Sequence, residues 1–338
     1  MNSAKKYRSR VMQKSVIAFS VSYQHDNLLS RGLGLEHIRE LLIRLARPIL
    51  RHGASLAYSG NWKETEDNFT YDLLRLIGAE QEDNSLGGPD TNRQIGILYN
   101  HAPWPHYLDI SRKIEAQWIN ACRIVRVTQK DAGFTDSEIA AGDEVQSKTD
   151  RAIFNAAVTL SAMRRLMMTQ WSVSISDVPS PEIIPPVTAR ILLGGRVDGF
   201  SGFLPGIFEE ALVTLEQNWP VYILGGFGGA AEVLAGAILT GSGRPQELTT
   251  NWLAGRNPAL AKLIGLAGGF RVPSGILTTD ESLDRLFDFL SRARSSPADV
   301  LSTGLSDEET RELLTTRNVA TAVSLVRKGL IQMGNLPA

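Results

Sequence analysis

The chain has 338 residues, a formal net charge of −1, and a composition that is 43% hydrophobic and 21% charged. This length accommodates one large α/β domain with an appendage, or two domains. The near-neutral charge excludes the overall electrostatic attraction typical of proteins that bind nucleic acid or anionic membranes. The single cysteine, Cys122, excludes an intramolecular disulfide and a cysteine-rich metal site, and it fits a reducing compartment. No segment has the roughly 20 uninterrupted apolar residues of a membrane helix, so we expect a cytoplasmic protein that binds neither nucleic acid nor membrane.

The first half of the chain alternates apolar segments typical of buried strands with segments at helical spacing. A flexible basic tail is predicted at 1–13. Strands are predicted at 15–23, 54–59, 94–99 and 122–128, and helices at 35–52, 69–77 and 150–169. Between them we expect polar, glycine-rich or proline-rich connections at 25–34, 78–93, 100–107, 131–147 and 172–186.

The segment 189–241 repeats one pattern twice: an apolar strand, a glycine-rich loop and a helix. The strands are predicted at 191–193 and 221–224, and each is followed by a pair of glycines. Backbone that approaches a phosphate or sugar closely requires residues without side chains, followed by a helix N-terminus with free N–H groups. Two such loops after parallel strands predict a nucleotide-binding crevice at the carboxyl ends of those strands.

The last third of the chain is predicted to be mainly helical, with helices at 253–266, 282–293 and 306–332. We therefore expect an α/β fold: a Rossmann-like parallel sheet with helices on both faces, plus a helical C-terminal appendage. The division that follows has a flexible tail at 1–13, a nucleotide-binding domain at 14–241 and a mainly helical C-terminal region at 242–338.

The first glycine-rich loop, 194–206, leads into a predicted helix whose first turns carry Glu209 and Glu210. A carboxylate near such a loop can accept hydrogen bonds from a ribose, or stabilise positive charge that develops at an anomeric carbon. The alternative is that both glutamates only complement the helix dipole. The remaining ligand-binding candidates of this loop are Gly194, Gly195, Arg196 and Gly206.

The second glycine-rich loop, 225–231, matches the pattern G-x-G-x-x-A from Gly226 to Ala231, after a predicted strand. This pattern is typical of the dinucleotide sites of Rossmann oxidoreductases. No acidic residue ends an evident next strand about 20 residues later, as those sites require. Small residues here alternatively serve tight packing of a helix on a strand. The ligand-binding candidates of this loop are Gly225, Gly226, Phe227, Gly228 and Gly229.

Arg164 falls on the otherwise apolar face of the predicted helix at 150–169. A charge there is costly unless it is paired or faces a polar crevice. Either Arg164 or its neighbour Arg165 is a candidate for bidentate phosphate binding. The alternative is an arginine that extends from the helix end into solvent.

The sequence NHAPWPHY at 100–107 holds two histidines and two large aromatic residues. Trp104 or Tyr107 is a candidate for stacking on a base, and a histidine for acid–base chemistry. We expect instead a proline-stiffened surface loop. His101 and His106 lack a usual metal-ligand spacing and have no supporting carboxylate cluster, so no metal site is predicted.

The order of these features resembles the SLOG superfamily, which includes the Lonely-guy phosphoribohydrolases, the DprA/Smf proteins and the nucleotide-sensing domains of TRPM channels. Lonely-guy enzymes carry a helix with M-x-x-R-K, an apolar strand and then P-G-G-x-G-T-x-x-E. Here MRR at 163–165, a predicted strand and PGIFEE at 205–210 follow in the same order. A longer segment, GGRVDGFSGFLPG, replaces the P-G-G-x-G core. The sequence GGFGGAAE at 225–232 is similar to the prokaryotic TRPM-like branch, called LSDAT.

The resemblance covers residues 14–241 and implies roles for several of them. Glu210 takes the position of the catalytic glutamate of the family, and Arg164 or Arg165 the position of its arginine. Ser20 and the turn that holds Gly60 and Asn61 fall where the first two phosphate-side loops of the family lie. The resemblance also implies a homo-oligomer.

Three functions follow from this pattern. The first is a sensor that binds a nucleotide or a ligand derived from NAD or ADP-ribose, in nucleotide signalling, stress or defence. It needs no further cofactor, and either the C-terminal helices or a separate effector protein transmits the signal. The second is an N-glycosidase, a hydrolase that cleaves the base–ribose bond of a nucleotide through Glu210. The third is a Rossmann-type oxidoreductase that uses the loop 225–231.

Overall fold

The computed structural model describes residues 15–86 except 64, 66 and 67, residues 94–141, residues 149–173, and residues 182–337 except 242. The predicted tail at 1–13 lies outside these residues, as do 87–93, 142–148 and 174–181 of the predicted connections. The described part forms a six-stranded parallel sheet with helices on both faces and a separate two-stranded sheet. From one edge of the large sheet to the other, its strands are Cys122–Val127, Leu98–Pro103, Ser55–Ala57, Val16–Ser22, Ala189–Gly194 and Val221–Leu224. The predicted α/β fold class is confirmed.

The described strands are β1 Val16–Ser22, β2 Ser55–Ala57, β3 Leu98–Pro103, β4 Cys122–Val127, β5 Trp171–Val173, β6 Glu182–Ile184, β7 Ala189–Gly194 and β8 Val221–Leu224. The described α-helices are α1 His25–Leu29, α2 Leu35–Arg51, α3 Phe69–Leu86, α4 Arg112–Trp118, α5 Asp136–Ala140, α6 Asp150–Leu166, α7 Gly206–Glu216, α8 Gly229–Leu239, α9 Thr250–Arg256, α10 Pro258–Ala267, α11 Thr279–Ala293, α12 Pro297–Val300, α13 Asp307–Thr315 and α14 Val319–Gln332. Short 3-10 turns lie at His106–Asp109, Gly225–Phe227 and Gln246–Leu248.

The sheet is covered on both faces because its strands carry apolar side chains toward both. On β1, Ile17 and Phe19 pack into the core that α2 and α3 cover, whereas Val16 and Ala18 pack toward α6. Such continuous apolar strands are typical of parallel sheets buried on both faces. The C-terminal helices take part in these cores: α14 packs on α2, and α11 packs on α7 and α8.

In two of the predicted connections, tertiary contacts extend a neighbouring helix or strand beyond its predicted end. Helix α3 continues past Gly78 to Leu86, and its buried Glu80 forms an ion pair with Arg47 of α2 at 2.9 Å. Strand β3 starts at Leu98 and continues to Pro103, four residues into the predicted surface loop. This shift makes His101 a strand residue.

The other differences are helix boundaries and short elements within predicted connections, among them α1 within 25–34. Two helices predicted as continuous are each divided: one at Asn257, which caps α10 before Pro258, and one at 316–318. Helix α6 ends at Leu166 instead of 169, and α5 lies within the predicted acidic connection 131–147. β5, which begins at Trp171, and β6 pair antiparallel in the region of the predicted connection at 172–186.

Candidate functional site

The sheet order places a topological switch point between β1 and β7. From β1 the chain continues to β2 on one side, whereas β7 lies on the other side and continues to β8. Connections that leave neighbouring strands toward opposite faces open a crevice at their carboxyl ends, where open α/β sheets bind ligands. The crevice lies between the residues after Ser22 and the loop 194–206, where the sequence predicts a binding site.

A buried cluster of charges lies beneath that loop. Glu210 of α7 accepts hydrogen bonds from the Ser20 hydroxyl and from Nη1 of Arg190, the latter at 3.1 Å. Arg164 of α6 forms an ion pair with Glu209, and its Nε lies 3.6 Å from Oε1 of Glu210. The side chains of these four charged residues are between 1% and 11% exposed. Two arginines and two glutamates balance formally, as buried charges require.

Arg190 completes the cluster and was not identified from the sequence. Its side chain also donates to Thr214 Oγ1 at 2.8 Å and to Ser20 Oγ at 3.0 Å. Burial lowers the pKa of this guanidinium, and the carboxylate of Glu210 opposes that effect. The signal was present in the sequence, because a lone arginine inside the apolar strand ARILLG is costly unless buried acids pair with it.

The backbone of the first glycine-rich loop, which follows β7, forms hydrogen bonds with the end of β1 and with the start of α8. Gly195 has φ +93, a region that favours glycine, and its N–H donates to Ser22 O at 2.8 Å. The carbonyl of Gly195 accepts from Ala230 N–H of α8 at 3.1 Å. At the other end of the loop, a Cβ on Gly206 would lie 3.0 Å from Nη2 of Arg164. The loop therefore lies directly over the charged cluster.

Residues of the segment that follows β1 and side chains of the loop 194–206 meet across the mouth of the crevice. The Gln24 amide donates to the Asp198 carboxylate, and exposed Arg196 places its Nε 3.5 Å from the Tyr23 carbonyl oxygen. Arg196, one of the ligand-binding candidates of this loop, is an exposed cation at the mouth. A phosphate that enters here meets both its positive charge and the negative charge of Asp198.

The second glycine-rich loop is packed against protein rather than open. A Cβ on Gly226 would collide with the backbone of Thr315 and Thr316, and a Cβ on Gly225 with the backbone of Leu314. Phe227 is completely buried in the core.

Helix α8 begins in the same loop, and backbone N–H groups at its N-terminus already donate to acceptors within the protein. The N–H of Gly229 donates to Oδ1 of Asn27 at 3.1 Å, and a Cβ on Gly228 would meet the same side chain. These contacts explain the small residues at 225–229 by close packing.

The other predicted residues lie around the crevice with partners of their own. Arg165 points away from the cluster and pairs with Glu216 at 3.3 Å. After β2, the carbonyl of Gly60 accepts from Asn100 Nδ2 at 3.1 Å, and Asn61 Oδ1 accepts from the N–H of Lys63 at 2.9 Å. The structure thus joins Ser20, Arg164, Glu209 and Glu210 beneath the loop 194–206, with Gly60 and Asn61 after the strand next to β1.

His101 contradicts the expected surface loop. Its side chain lies in β3, only 2% of the residue is exposed, and the one hydrogen bond that affects its titration is with the backbone of Tyr99. Burial, together with the positive charge of Arg190, lowers the pKa of His101 to about 3. Trp104, a predicted stacking candidate, is buried as well.

Three further properties of the described ranges limit the kinds of site present in them. Within them, no group of three or more His, Cys, Asp or Glu side chains is placed to hold a metal ion. Burial raises the pKa of the Cys122 thiol to about 12, which keeps it protonated and unreactive at neutral pH. Among the helices of the same ranges, none is both long and apolar enough to cross a membrane.

The fold and the crevice define a doubly wound α/β protein with a polar site at its topological switch point. The sequence model of the SLOG cluster2 family matches residues 11–313. The chain therefore belongs to this family, and the resemblance to the SLOG superfamily is confirmed, whereas the narrower LSDAT assignment stays a prediction. The match continues beyond residue 241 as far as α13. A search of curated proteins returns no match.

Proposed function

We propose that this protein binds a nucleotide derived from NAD or ADP-ribose in the β1/β7 crevice and acts as a sensor in nucleotide signalling, stress or defence. Membership of the SLOG family supports a nucleotide-related function. The observation that carries the proposal is the Arg164–Glu209–Glu210–Arg190 cluster beneath the glycine-rich loop at the switch point. The cluster holds polar groups in place before a ligand binds, at the position where α/β folds typically bind their ligands.

The contacts of Glu210 favour a sensor over an enzyme. Oε2 accepts from Ser20 and Arg190, and Oε1 faces Arg164 at 3.6 Å. A carboxylate that acts as a base or nucleophile must reach the reacting atom. Here Ser20 and Arg190 already occupy Oε2, and Oε1 faces the positive charge of Arg164 rather than open space.

The N-glycosidase remains the second candidate because the same carboxylate lies beside the crevice and is 11% exposed. In that reaction Glu210 stabilises the positive charge that develops on the ribose, or orients the attacking water, and Arg164 holds the phosphate. This role requires Arg164 to exchange its contact with Glu209 for the ligand.

The C-terminal helices contact the backbone of the loop 194–206 through two buried side chains. Asn257, at the start of α10, donates to Phe200 O at 2.9 Å, and Thr279, in the first turn of α11, donates to Phe203 O at 3.0 Å. Both donors are buried. We propose that these two hydrogen bonds transmit a ligand-induced movement of the loop to the C-terminal helices, and from there to a second copy of the chain or a separate effector protein.

Thermal shift and base release, measured on the same samples with NAD, ADP-ribose and AMP, test the proposal. A sensor gains melting temperature with at least one nucleotide and releases no base. Base release that Glu210→Gln abolishes while binding persists establishes the glycosidase. If no nucleotide in the panel changes the melting temperature, the crevice is not a nucleotide site.

A further inference from the structure

An open groove of about 680 Å³ runs along helix α14, beside Arg44 of α2. Its remaining lining residues all belong to α14 and recur at helical spacing between Ala320 and Gln332. Over this distance the helix rises about 18 Å, which is roughly three turns. The groove is therefore long enough for several turns of a second helix to lie in it.

Close packing holds α14 in place, so the groove exists before any partner binds. The side of α14 that faces the core carries the buried residues Ala322, Leu325, Val326 and Leu330. At Gly329 the helix approaches the sheet so closely that a Cβ would lie 2.4 Å from the carbonyl oxygen of Thr303 and 2.6 Å from the ring of Tyr222 on β8. These contacts fix the position of the groove relative to β8.

Three cations line the groove, and none of its lining residues is acidic. Arg44 pairs with Glu40 of its own helix at 2.7 Å, and Lys328 pairs with Glu309 of α13. Arg327 is exposed, and within the described ranges no carboxylate pairs with it. The groove therefore holds a positive charge, that of Arg327, which a docked partner can neutralise.

Helix α13 carries acidic side chains at the edge of this groove. Its Glu309 contacts Lys328, a lining residue, so α13 borders the groove at that point. Glu312 lies about one turn beyond both Glu308 and Glu309 and neighbours each of them on the helix surface. Glu308 and Glu312 are exposed, and neither forms an ion pair with another described residue. Carboxylates that a partner can use thus lie beside the cation of the groove.

A surface with charges of both signs side by side complements itself. When a two-fold axis relates two copies, each copy offers its acidic helix to the cation of the other. The partly buried Val323 and Ile331 of the two grooves then cover one another and lose contact with water. An acidic partner of a different kind satisfies Arg327 but is repelled by Glu308 and Glu312, so the charges favour a second copy.

We propose that two copies of this chain pair about a two-fold axis through this groove, with α14 of each copy along α14 of the other. In this arrangement Arg327 of each copy faces Glu308 and Glu312 of the other. Helix α14 lies beyond residues 11–313, which the SLOG cluster2 model matches, so the groove residues other than Arg44 lie outside the family region. The pairing requires no nucleotide, and its test is therefore independent of the binding experiments above.

Sedimentation equilibrium of the full chain and of charge-reversal variants tests this pairing. Wild type forms a dimer whose dissociation constant rises with salt concentration. Arg327→Glu and the double substitution Glu308→Lys/Glu312→Lys each raise this constant at least about tenfold, because like charges then face each other across the axis. The control, Arg112→Glu, reverses an exposed arginine of α4 and leaves the constant unchanged.

Mixing the two reversed proteins gives the sharper result. When the Arg327→Glu chain pairs with the Glu308→Lys/Glu312→Lys chain, opposite charges face each other in both halves of the interface. The equimolar mixture therefore dimerises as wild type does, and thermal melting followed by circular dichroism confirms beforehand that each variant is folded. A wild type that is monomeric at every concentration, a dimer that neither reversal weakens, or a mixture that does not regain the dimer overturns the proposal.

Discussion

Removal of Arg190 tests whether the charged cluster is a mutually neutralising unit. The guanidinium is 1% exposed and donates to Glu210, Ser20 and Thr214. Arg190→Met leaves two buried glutamates with Arg164 alone, a net charge of −1 in a buried site. Loss of one partner of a buried pair costs about 3–5 kcal/mol of unfolding free energy, and we expect a loss in that range.

A second substitution shows whether the loss of unfolding free energy comes from the unbalanced charge or from lost packing. In Arg190→Met/Glu210→Gln the cluster is neutral again, so we expect at least half of the loss, roughly 2 kcal/mol, to be recovered as a coupling energy. Urea unfolding at pH 7, followed by tryptophan fluorescence, measures both variants. The control is Arg44→Met, which removes an exposed pair with Glu40 within α2 and costs no more than about 0.5 kcal/mol. A loss below about 1 kcal/mol for Arg190→Met, or additive losses in the double variant, refutes the reasoning.

Three further predictions concern the mouth, the buried histidine and the loop. Arg196→Ala weakens ADP-ribose binding about tenfold, because a charge-assisted contact with the phosphate is lost. Asp198→Ala strengthens binding, because it removes a negative charge that repels the phosphate. If calorimetric titration shows stronger binding for the first variant and weaker binding for the second, the proposed phosphate position is wrong. His101 has a folded pKa of about 3 and an unfolded value of about 6.5, so its contribution to stability is complete above pH 6.5 and declines as pH falls toward 3. Between pH 7.5 and 5, wild type should therefore lose about 2 kcal/mol more unfolding free energy than His101→Gln does, and equal losses in urea titrations contradict this. Thr279→Val keeps nucleotide binding but loses the ligand-induced change in hydrogen exchange of α11; an unchanged exchange response shows that this hydrogen bond transmits nothing.

The apolar strands and the first glycine-rich loop were predictable because local patterns determine them. The strands before Gly194 and Gly225 are almost wholly apolar, and each loop leads into a helix as expected. The place of Glu210 beside the loop follows from its position in the first turns of α7. The strand order, which makes this loop a switch point, depends on long-range pairing that the residues do not encode locally.

The other features needed contacts between distant parts of the chain. Glycine at 226 leaves space for the backbone at 315–316, about 90 residues away along the chain, so its sequence pattern resembles a ligand loop although packing explains it. Gly78 suggested the end of a helix, but Glu80 pairs with α2 and the helix continues. Arg190 is a single charged residue in an apolar strand, and only the folded sheet shows that it contacts Ser20 and Glu210. His101 was expected in a surface loop, and the pairing of β3 with β4 places it in a buried strand.

Calorimetric titration of the full chain with ADP-ribose at pH 7.5 and low salt tests the central claim most directly. The β1/β7 crevice predicts saturable binding of one nucleotide per chain, weakened about tenfold in Arg196→Ala and unchanged in Arg327→Ala, which removes an exposed arginine of α14. Absence of saturable binding for ADP-ribose, NAD and AMP alike, or an equal effect of the two arginine variants, contradicts a nucleotide site in this crevice.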